Sequence, residues 1–311
     1  MLRMKTEIRL LAAALCAAVC LAGCGRELPA AENAPVTTAP AVTTVSALTT
    51  SPEITGTTTT VTVDPVWEEH VTETGENGHI IEDVPHYTQF DKYLTACESL
   101  AGVSVLRYYG IDITPDLFLS GYLPVADFPG TGEDGKMYGE SPWLYFIGDP
   151  LQMDGFGCYS GALVRGINKI RSGLAKPLRG QPLDKLCAKY IDKGQPVIIW
   201  ATMYMDYPQE SMQWYLPDGT LFTFMAPEHA LVLIGYDDWY YYFSDSLQYE
   251  NVVAYGREVT GRAYNGLEMQ AVVIDPNVLA SVPEFWRIQP EAEASDSAEE
   301  TESGNEYMLY G

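Results

Sequence analysis

The chain has 311 residues, of which 42 are acidic and 18 basic, so its formal net charge is −24. A protein this acidic repels the phosphates of nucleic acid and anionic lipid headgroups, which excludes nucleic-acid binding and adsorption of a folded domain onto a membrane. The length allows one large domain or two ordinary ones.

The first 24 residues predict a leader that is cleaved and replaced by lipid. Three basic residues precede an apolar run that is too short to span a bilayer comfortably. The run ends in "LAGC", which resembles a bacterial lipobox, where the chain is cut before the cysteine and the thiol is lipidated. We expect residues 1–23 to be a signal peptide and Cys24 to anchor the protein outside the cytoplasmic membrane, at the cell surface. An ordinary secretory signal with a chance cysteine is the alternative.

Two segments that flank the domain are predicted to be disordered. Residues 25–64 contain twelve threonines among alanine, proline and valine, a composition that cannot bury enough apolar surface to fold. We interpret residues 24–79 as a tether and residues 289–311, which are strongly acidic, as a solvated tail. The folded domain is therefore predicted to cover residues 80–288.

Three cysteines remain once the leader and the lipidated residue are set aside. Cys97, Cys158 and Cys187 are too few for a disulfide framework, although one bridge between Cys158 and Cys187 stays open. Neither a CxxC pair nor a histidine cluster indicates a metal site, so we expect no metal and no cofactor.

The first half of the domain is predicted to be built around one helix. Residues 83–94 are typical of a short strand that leads into a loop. The helix begins at Thr95, which is spaced from Glu98 as in a capping box, and ends at Gly110. A helical turn follows over 115–120, and residues 121–160 are loop-like.

The second half is predicted to contain two helices followed by mainly antiparallel strands. The helices cover 160–171 and 182–193, a hairpin covers 213–224, and strands lie in "GQPVIIWATMY", "HALVLIGYDD", "YYYFSDS" and "MQAVVID". Helices followed by such strands indicate an α+β fold whose two halves face each other across a cleft. Residues 203–225 either overhang this cleft or complete the sheet.

Cys97 is a candidate nucleophile, because the helix dipole and unpaired backbone N–H groups lower the pKa of a thiol in the first turn of a helix. The alternative is that Cys97 is a buried structural cysteine. A thiol nucleophile needs a base, a group that orients the base, and oxyanion donors. His229 opens an apolar strand and Asp245 closes the adjoining one, so antiparallel pairing places them side by side. Gln89 could donate its amide to an oxyanion beside the backbone N–H of Cys97.

This ordered set resembles the papain-like cysteine peptidases of the bacteriocin-processing type, cysteine peptidase family 39, and their stand-alone extracytoplasmic relatives. The resemblance covers about residues 83–275 and includes "GDPLQMDGFGCY". It implies a papain-like α+β fold, in which N-terminal helices pack on a mainly antiparallel sheet and the active site lies in the cleft between them. It also implies Cys97 as nucleophile, His229 as base, Asp245 as orienting carboxylate and Gln89 as oxyanion donor.

Two positions depart from the family pattern. Glu98 and Ser99 follow the cysteine where many members have Gly-Pro, and a carboxylate beside the thiol opposes its ionisation. Ser246 follows Asp245 where the family often has proline.

The function that we expect is a secreted, lipid-anchored thiol peptidase that hydrolyses peptide bonds through a Cys-His-Asp triad and a thioester intermediate. Its partner would be a peptide or protein substrate, with cell-wall peptide among the candidates, and the monomer would touch the membrane through its lipid only. One alternative is a cell-wall amidase or transpeptidase on the same fold. Another is a catalytically silent papain-like domain that binds peptides or wall polymer.

Overall fold

The structure, a computed structural model, describes residues 77–289. The predicted signal peptide, Cys24, most of the tether and nearly all of the acidic tail lie outside these residues. Within the described range, no helix is both long and apolar enough to cross a membrane.

The helices of the described region are spread over both of its halves, and the longer strands lie mainly in its second half. The helices are α1 (Cys97–Tyr108), α2 (Pro115–Gly121), α3 (Ser160–Ile167), α4 (Leu183–Lys189), α5 (Arg257–Gly266) and α6 (Pro276–Leu279). Single 3₁₀ turns cover Ile191–Lys193, Met203–Met205 and Glu284–Trp286.

The strands divide into one main sheet and two smaller ones. They are β1 (His79–Ile80), β2 (Val125–Ala126), β3 (Gly130–Thr131), β4 (Met137–Tyr138), β5 (Phe146–Ile147), β6 (Ala175–Arg179), β7 (Val197–Thr202), β8 (Gln209–Tyr215), β9 (Leu221–Ala226), β10 (Glu228–Tyr236), β11 (Tyr240–Ser244), β12 (Val253–Gly256) and β13 (Gln270–Ile274). The main sheet runs β12-β11-β10-β7-β13-β6, with β1 also pairing with β10, and every pair in it is antiparallel.

The centre of the main sheet is apolar on both faces because helices cover it. All six residues of β7 are buried, as are eight of the nine residues of β10. Helix α1 packs on β10 and β7, and α5 packs on β7 and β12. A strand covered on both faces needs a continuous apolar run rather than an alternating one, which explains "VIIWAT" and "HALVLIG". Helices packed on a mainly antiparallel sheet confirm the predicted α+β class.

Helix α1 begins later than predicted, and the predicted capping box does not form. Its N-cap is Ala96, which makes no side-chain cap, and the first helical residue is Cys97. The Thr95 hydroxyl instead donates to the carbonyls of Asp149 and Gln152. The Glu98 side chain turns inward and accepts the backbone N–H of Cys158. The capping box was wrong because tertiary partners replaced both local hydrogen bonds.

Other predicted elements differ mainly at their bounds. Residues 83–94 contain no strand, and the pairing with the sheet is made earlier, at β1. The first residue of β1, His79, is the last of the segment interpreted as tether, and Ile80 is the first of the predicted domain. Helix α3 ends at Ile167, and the predicted helix over 182–193 divides into α4 and a 3₁₀ turn. The elements β6, β12, α5 and α6 were not predicted, because their few apolar residues gave no clear period. Residues 121–160, predicted to be loop-like, contain the four two-residue strands β2 to β5.

The predicted hairpin forms, and it belongs to a second sheet rather than to the main one. Strands β8 and β9 pair around the turn at 216–220, and β8 also contacts β4 of the β3–β4 hairpin, whose exposed connection covers 132–136. Trp214 on β8 has no exposed surface and packs against Phe156, Phe222 and Phe224. This tryptophan therefore belongs to the core of the second sheet.

Candidate active site

His229 and Asp245 are brought together at one end of the main sheet. Nε2 of His229 lies 2.7 Å from Oδ1 of Asp245, and both side chains are about 1% exposed. His229 lies near the start of β10, and Asp245 follows the last residue of the antiparallel neighbour β11. Nδ1 of His229 is buried and has no hydrogen-bond partner among the described residues. The imidazole is thus fixed through one nitrogen and keeps the other available.

Asp245 is held by more groups than His229. Its Oδ1 also accepts the backbone N–H of Leu247 at 2.9 Å, and its Oδ2 accepts the hydroxyl of Tyr255 on β12 at 2.8 Å. Burial alone raises the pKa of a carboxyl group, but the charge of His229 and these hydrogen bonds outweigh it and lower the pKa of Asp245. Asp245 therefore stays ionised although it is fully buried. Tyr255 was not identified from the sequence.

Cys97 reaches the same end of the sheet from α1. The backbone N–H of Ala230, next to His229, donates to Sγ of Cys97 at 3.5 Å. The thiol itself donates to Oε2 of Glu98 at 3.4 Å. Among the described residues no hydrogen bond joins the thiol to His229. The structure thus brings the thiol and the imidazole onto neighbouring elements, and the thiol turns toward the carboxyl group of Glu98.

The electrostatics of Cys97 differ from the expectation. Burial raises the pKa of its thiol well above the ordinary value, and the charges of Glu98 and Glu228 raise it further. The Ala230 N–H opposes this rise without cancelling it. The lowered thiol pKa expected from the helix dipole is therefore wrong for this conformation, because the side chain is only 4% exposed and faces two carboxyl groups.

Glu98 and Glu228 form a buried pair of carboxyl groups beside the thiol. Glu98 has no exposed surface, and Glu228 at the start of β10 is 6% exposed. Gly157 lies over the pair with φ +103°, and a Cβ there would stand 2.5 Å from Oε2 of Glu228 and 2.9 Å from Oε1 of Glu98. Only glycine fits this position. Each glutamate is the chain neighbour of a candidate catalytic residue, and Glu228 was missed from the sequence.

Gln89 lies at the start of the domain with its amide already engaged. Its Nε2 donates to the Leu94 carbonyl at 3.0 Å, and its Oε1 accepts the hydroxyl of Ser246 at 2.7 Å. The Ser246 carbonyl also accepts the backbone N–H of Gln89. Ser246, the residue that departs from the family pattern, thus ties Gln89 to the loop that carries Asp245. One amide hydrogen of Gln89 remains for another acceptor.

His86, the other histidine near this end of the domain, has a structural environment. Its two ring nitrogens lie 3.0 Å from the Ser244 hydroxyl and 3.0 Å from the Gln248 carbonyl. Burial lowers its pKa, which favours the neutral ring. His86 is therefore held as a fixed link between the start of the domain and the residues around Asp245.

The three cysteines of the described region are free thiols. Cys158 and Cys187 are buried, and the open possibility of a bridge between them is not realised. One group of atoms of the types that metals bind occurs within residues 77–289, comprising Cys97, Glu98 and Glu228, whose atoms lie within 4.8 Å of one another. Hydrogen bonds between these three side chains can hold them together as well as a metal ion can.

A cavity of about 720 Å³ adjoins the segment that leads into α1. Residues 148–152 form one wall, and Pro150 in this wall accepts the backbone N–H of Thr95, two residues before the thiol. Acidic and apolar side chains line the cavity, among them Val125, Asp127, Phe128 and Asp154. Its volume lies within the range of clefts that bind ligands in proteins.

Comparison with known proteins agrees with the fold. The chain is 31% identical over 202 residues to the uncharacterized protein YvpB of Bacillus subtilis (strain 168), which covers 62% of this chain and 74% of the relative. A crystal structure described as a candidate C39-like peptidase from Bacillus anthracis matches with a TM-score of 0.57 and 25% identity, over 64% of this chain and 98% of that one. The model of the Peptidase_C39 like family matches residues 81–272. The chain therefore belongs to the Peptidase_C39 like family.

Proposed function

We propose that the protein is a cysteine peptidase in which Cys97 attacks a peptide carbonyl, His229 moves the proton and Asp245 orients the imidazole. The observation that carries the proposal is the position of His229. Its Nε2 is fixed by Asp245 at 2.7 Å and its buried Nδ1 is left without a partner, one residue before the N–H that contacts Sγ of Cys97. A base held in one orientation with a free nitrogen beside a thiol suits proton transfer.

The proposed reaction begins when the thiol turns from Glu98 toward Nδ1 of His229 and gives up its proton. The sulfur attacks the carbonyl carbon, the C–N bond breaks, and the protonated imidazole gives its proton to the departing amine. A water molecule, deprotonated by the same imidazole, then hydrolyses the thioester and releases the carboxylic acid and the thiol. The second amide hydrogen of Gln89 and the backbone N–H of Cys97 would stabilise the oxyanion of each step.

The substrate class that we propose is an extended peptide, cell-wall peptide included, lying in the cavity beside residues 148–152. Hydrolysis of wall peptide bonds and transfer to an acceptor amine would share this mechanism until the thioester forms. The products separate the two, because hydrolysis yields a free carboxylate and transfer yields a new amide.

A catalytically silent binding domain is the competing function, and one observation favours it. The thiol is 4% exposed, and burial and two glutamates raise its pKa, which disfavours the thiolate in this conformation. A silent domain would keep Cys97 as a small packed side chain.

The deciding experiment is labelling with a papain-type epoxide inhibitor followed by peptide mapping of the modified residue. We expect the label on Cys97 and its absence from Cys158 and Cys187, which are also buried but lack the neighbouring imidazole. Cys97→Ala and His229→Ala should each abolish cleavage of a peptide library while leaving the thermal unfolding midpoint nearly unchanged. Persistent cleavage by Cys97→Ala, or no labelling of any cysteine, would remove the peptidase proposal.

The anchoring of the protein is a separate proposal that rests on "LAGC" alone. We propose that Cys24 carries lipid and holds the domain outside the cytoplasmic membrane through the threonine-rich tether. The wild-type protein should then sediment with membranes, and Cys24→Ala should be soluble or unprocessed. A wild-type protein that is wholly soluble with a non-lipidated N-terminus would contradict this proposal.

A further inference from the structure

The buried carboxyl groups of Glu98 and Glu228 have no part in the proposed reaction, and their environment sets a strict electrostatic condition. Both are almost fully buried, and neither forms a salt bridge with a lysine, arginine or histidine in the described part of the chain. Two uncompensated negative charges so close together in a protein interior are strongly unfavourable. The pair must therefore bind a proton or a cation.

The hydrogen bonds divide the two carboxyl groups into an acceptor and a candidate acid. Glu98 accepts from the Cys158 backbone N–H and from the Cys97 thiol, so both of its oxygens have donors. Oε1 of Glu228 is buried and has no hydrogen-bond partner within residues 77–289. A carboxylate suits the first environment and a protonated carboxyl group suits the second.

The other groups that face the pair carry no positive charge. They are the thiols of Cys97 on α1 and Cys158 before α3, the hydroxyl of Tyr159, and the indole of Trp200 on β7. The Trp200 indole N–H donates to the Cys158 carbonyl at 2.8 Å, and its hydrogen bond to Glu228 lowers the pKa of that carboxyl group by less than burial raises it. A proton is the compensation that these surroundings favour, because oxygens of the two carboxyl groups lie within 4.8 Å of one another and even a Cβ at Gly157 would collide with both groups.

We propose that Glu98 and Glu228 share a single proton in the folded protein. The one negative charge that remains on the pair then opposes ionisation of the Cys97 thiol. Burial, and for Glu228 the charge of Glu98, raise the pKa of both carboxyl groups in agreement with this assignment. The two glutamates are positioning residues that act on the nucleophile through its charge. The proposal concerns the ionisation of the thiol and rests on the proposed function only for its effect on turnover.

The proposal predicts an unusual pattern in the substitutions Glu98→Gln, Glu228→Gln and the double variant. Glu228→Gln replaces a neutral acid by a neutral amide, so the site keeps the one negative charge of Glu98. Glu98→Gln removes this charge, because burial keeps the pKa of the remaining Glu228 raised and the group protonated. The double variant also removes that charge. The measurement is the rate of iodoacetamide modification of Cys97 against pH, followed by peptide mapping.

We expect Glu228→Gln to titrate Cys97 as the wild type does, and Glu98→Gln and the double variant to lower the midpoint by roughly one pH unit or more. At a fixed pH below the midpoint this corresponds to at least about tenfold faster modification. If Glu228→Gln lowers the midpoint by itself, both glutamates are ionised in the wild type and the proposal is wrong. If the double variant matches the wild type, both are protonated and the proposal is also wrong.

Infrared spectroscopy of protein labelled with ¹³C-glutamate tests the same proton without relying on the folding of a double variant. Near neutral pH the wild type should show the carbonyl band of one protonated glutamate, and Glu228→Gln should remove this band whereas Glu98→Gln should keep it. Glu284→Gln, at an exposed carboxyl group in the last 3₁₀ turn, is the matched control and should leave the band unchanged. No protonated band, two such bands, or stoichiometric zinc bound to the purified protein would overturn the proposal.

These measurements need no substrate. Failure to cleave peptides would therefore count against the proposed peptidase and not against the shared proton. If the protein cleaves peptides but Cys97 does not titrate in the predicted pattern, the peptidase proposal stands and the shared-proton proposal is wrong.

Discussion

The side chains around Asp245 decide how firmly the imidazole of His229 is held. Asp245 accepts hydrogen bonds from an imidazole, a backbone N–H and the Tyr255 hydroxyl, and it is fully buried. Because each partner fills a fixed position around the carboxylate, losing one partner leaves a buried oxygen poorly compensated. Tyr255 therefore acts on the base through the carboxylate.

Replacing Tyr255 with phenylalanine should lower peptidase activity without removing any reacting group. We expect kcat/KM to fall on the order of 10-fold, as is typical when a hydrogen-bond partner behind a functional residue is lost. The free energy of unfolding should fall by about 1–3 kcal/mol. Tyr264→Phe is the matched control, since it also removes a buried hydroxyl, which donates to the Gln181 carbonyl. An equal loss of activity in both variants would assign Tyr255 a purely structural role.

The sequence allowed the candidate triad to be predicted but not its electrostatic surroundings. Cys97, His229 and Asp245 each have a reactive group at the start or end of an element, and the pairing of two consecutive strands is a local property. Glu228 could not be assigned from the sequence, because its partner Glu98 lies 130 residues earlier and the two meet only in the folded protein. Glu98 itself matched a local capping pattern that tertiary contacts replaced.

At the scale of elements, the β8–β9 hairpin belongs to a small sheet with a core of its own. Its aromatic side chains interlock around Trp214, whose indole N–H donates to the Glu140 carbonyl at 2.9 Å. The sequence predicted the hairpin, because Pro217, Asp218 and Gly219 mark its turn. It left open whether the hairpin covers the cleft, because two-residue strands such as β4 carry no detectable pattern.

Trp214→Ala should destabilise the domain rather than alter which peptides it cleaves. Removing a fully buried indole costs about 3–5 kcal/mol, so the midpoint of urea unfolding should fall sharply. The matched control is Trp239→Ala, at a side chain that is 74% exposed, which should change stability by no more than about 0.5 kcal/mol. A changed peptide preference in Trp214→Ala with unchanged stability would instead place the indole in the substrate cleft.

At the scale of the whole molecule, two opposite pKa shifts set how stability depends on pH. The pKa of Glu228 is raised by burial, so between its ordinary value of 4.5 and its folded value the folded state binds more protons than the unfolded state. Stability then falls as pH rises through that window. The pKa of Asp245 is lowered, so its contribution is lost as pH falls below its ordinary value of 3.8. Together the two shifts favour a mildly acidic optimum.

The substitution Glu228→Gln should therefore become more favourable as pH rises above 4.5. The difference in unfolding free energy between variant and wild type should grow by up to about 1.4 kcal/mol per pH unit for one proton and then level off. Chemical unfolding at a series of pH values measures this slope. A difference that is independent of pH would mean that Glu228 ionises alike in the folded and unfolded states.

The fold class followed from the sequence because the order of helices and strands is a global pattern that tolerates errors at the bounds. The order of the strands in the main sheet could not be predicted from the sequence. The position of β6 and β13 at one side of the sheet depends on packing against α3. Likewise β1, at His79, pairs with β10 although its two residues lie in a segment with no strand pattern.

The exposed connection at 132–136 between β3 and β4 divides the site residues into two sets. Cys97, Glu98 and Gln89 precede it, and Glu228, His229 and Asp245 follow it. A chain cut at this connection yields one piece with Cys97 but without His229 and Asp245, and another with His229 and Asp245 but without Cys97. Neither piece can hydrolyse a peptide by this mechanism, so recovered turnover would measure how far the two pieces reassemble, as in a complementation reporter.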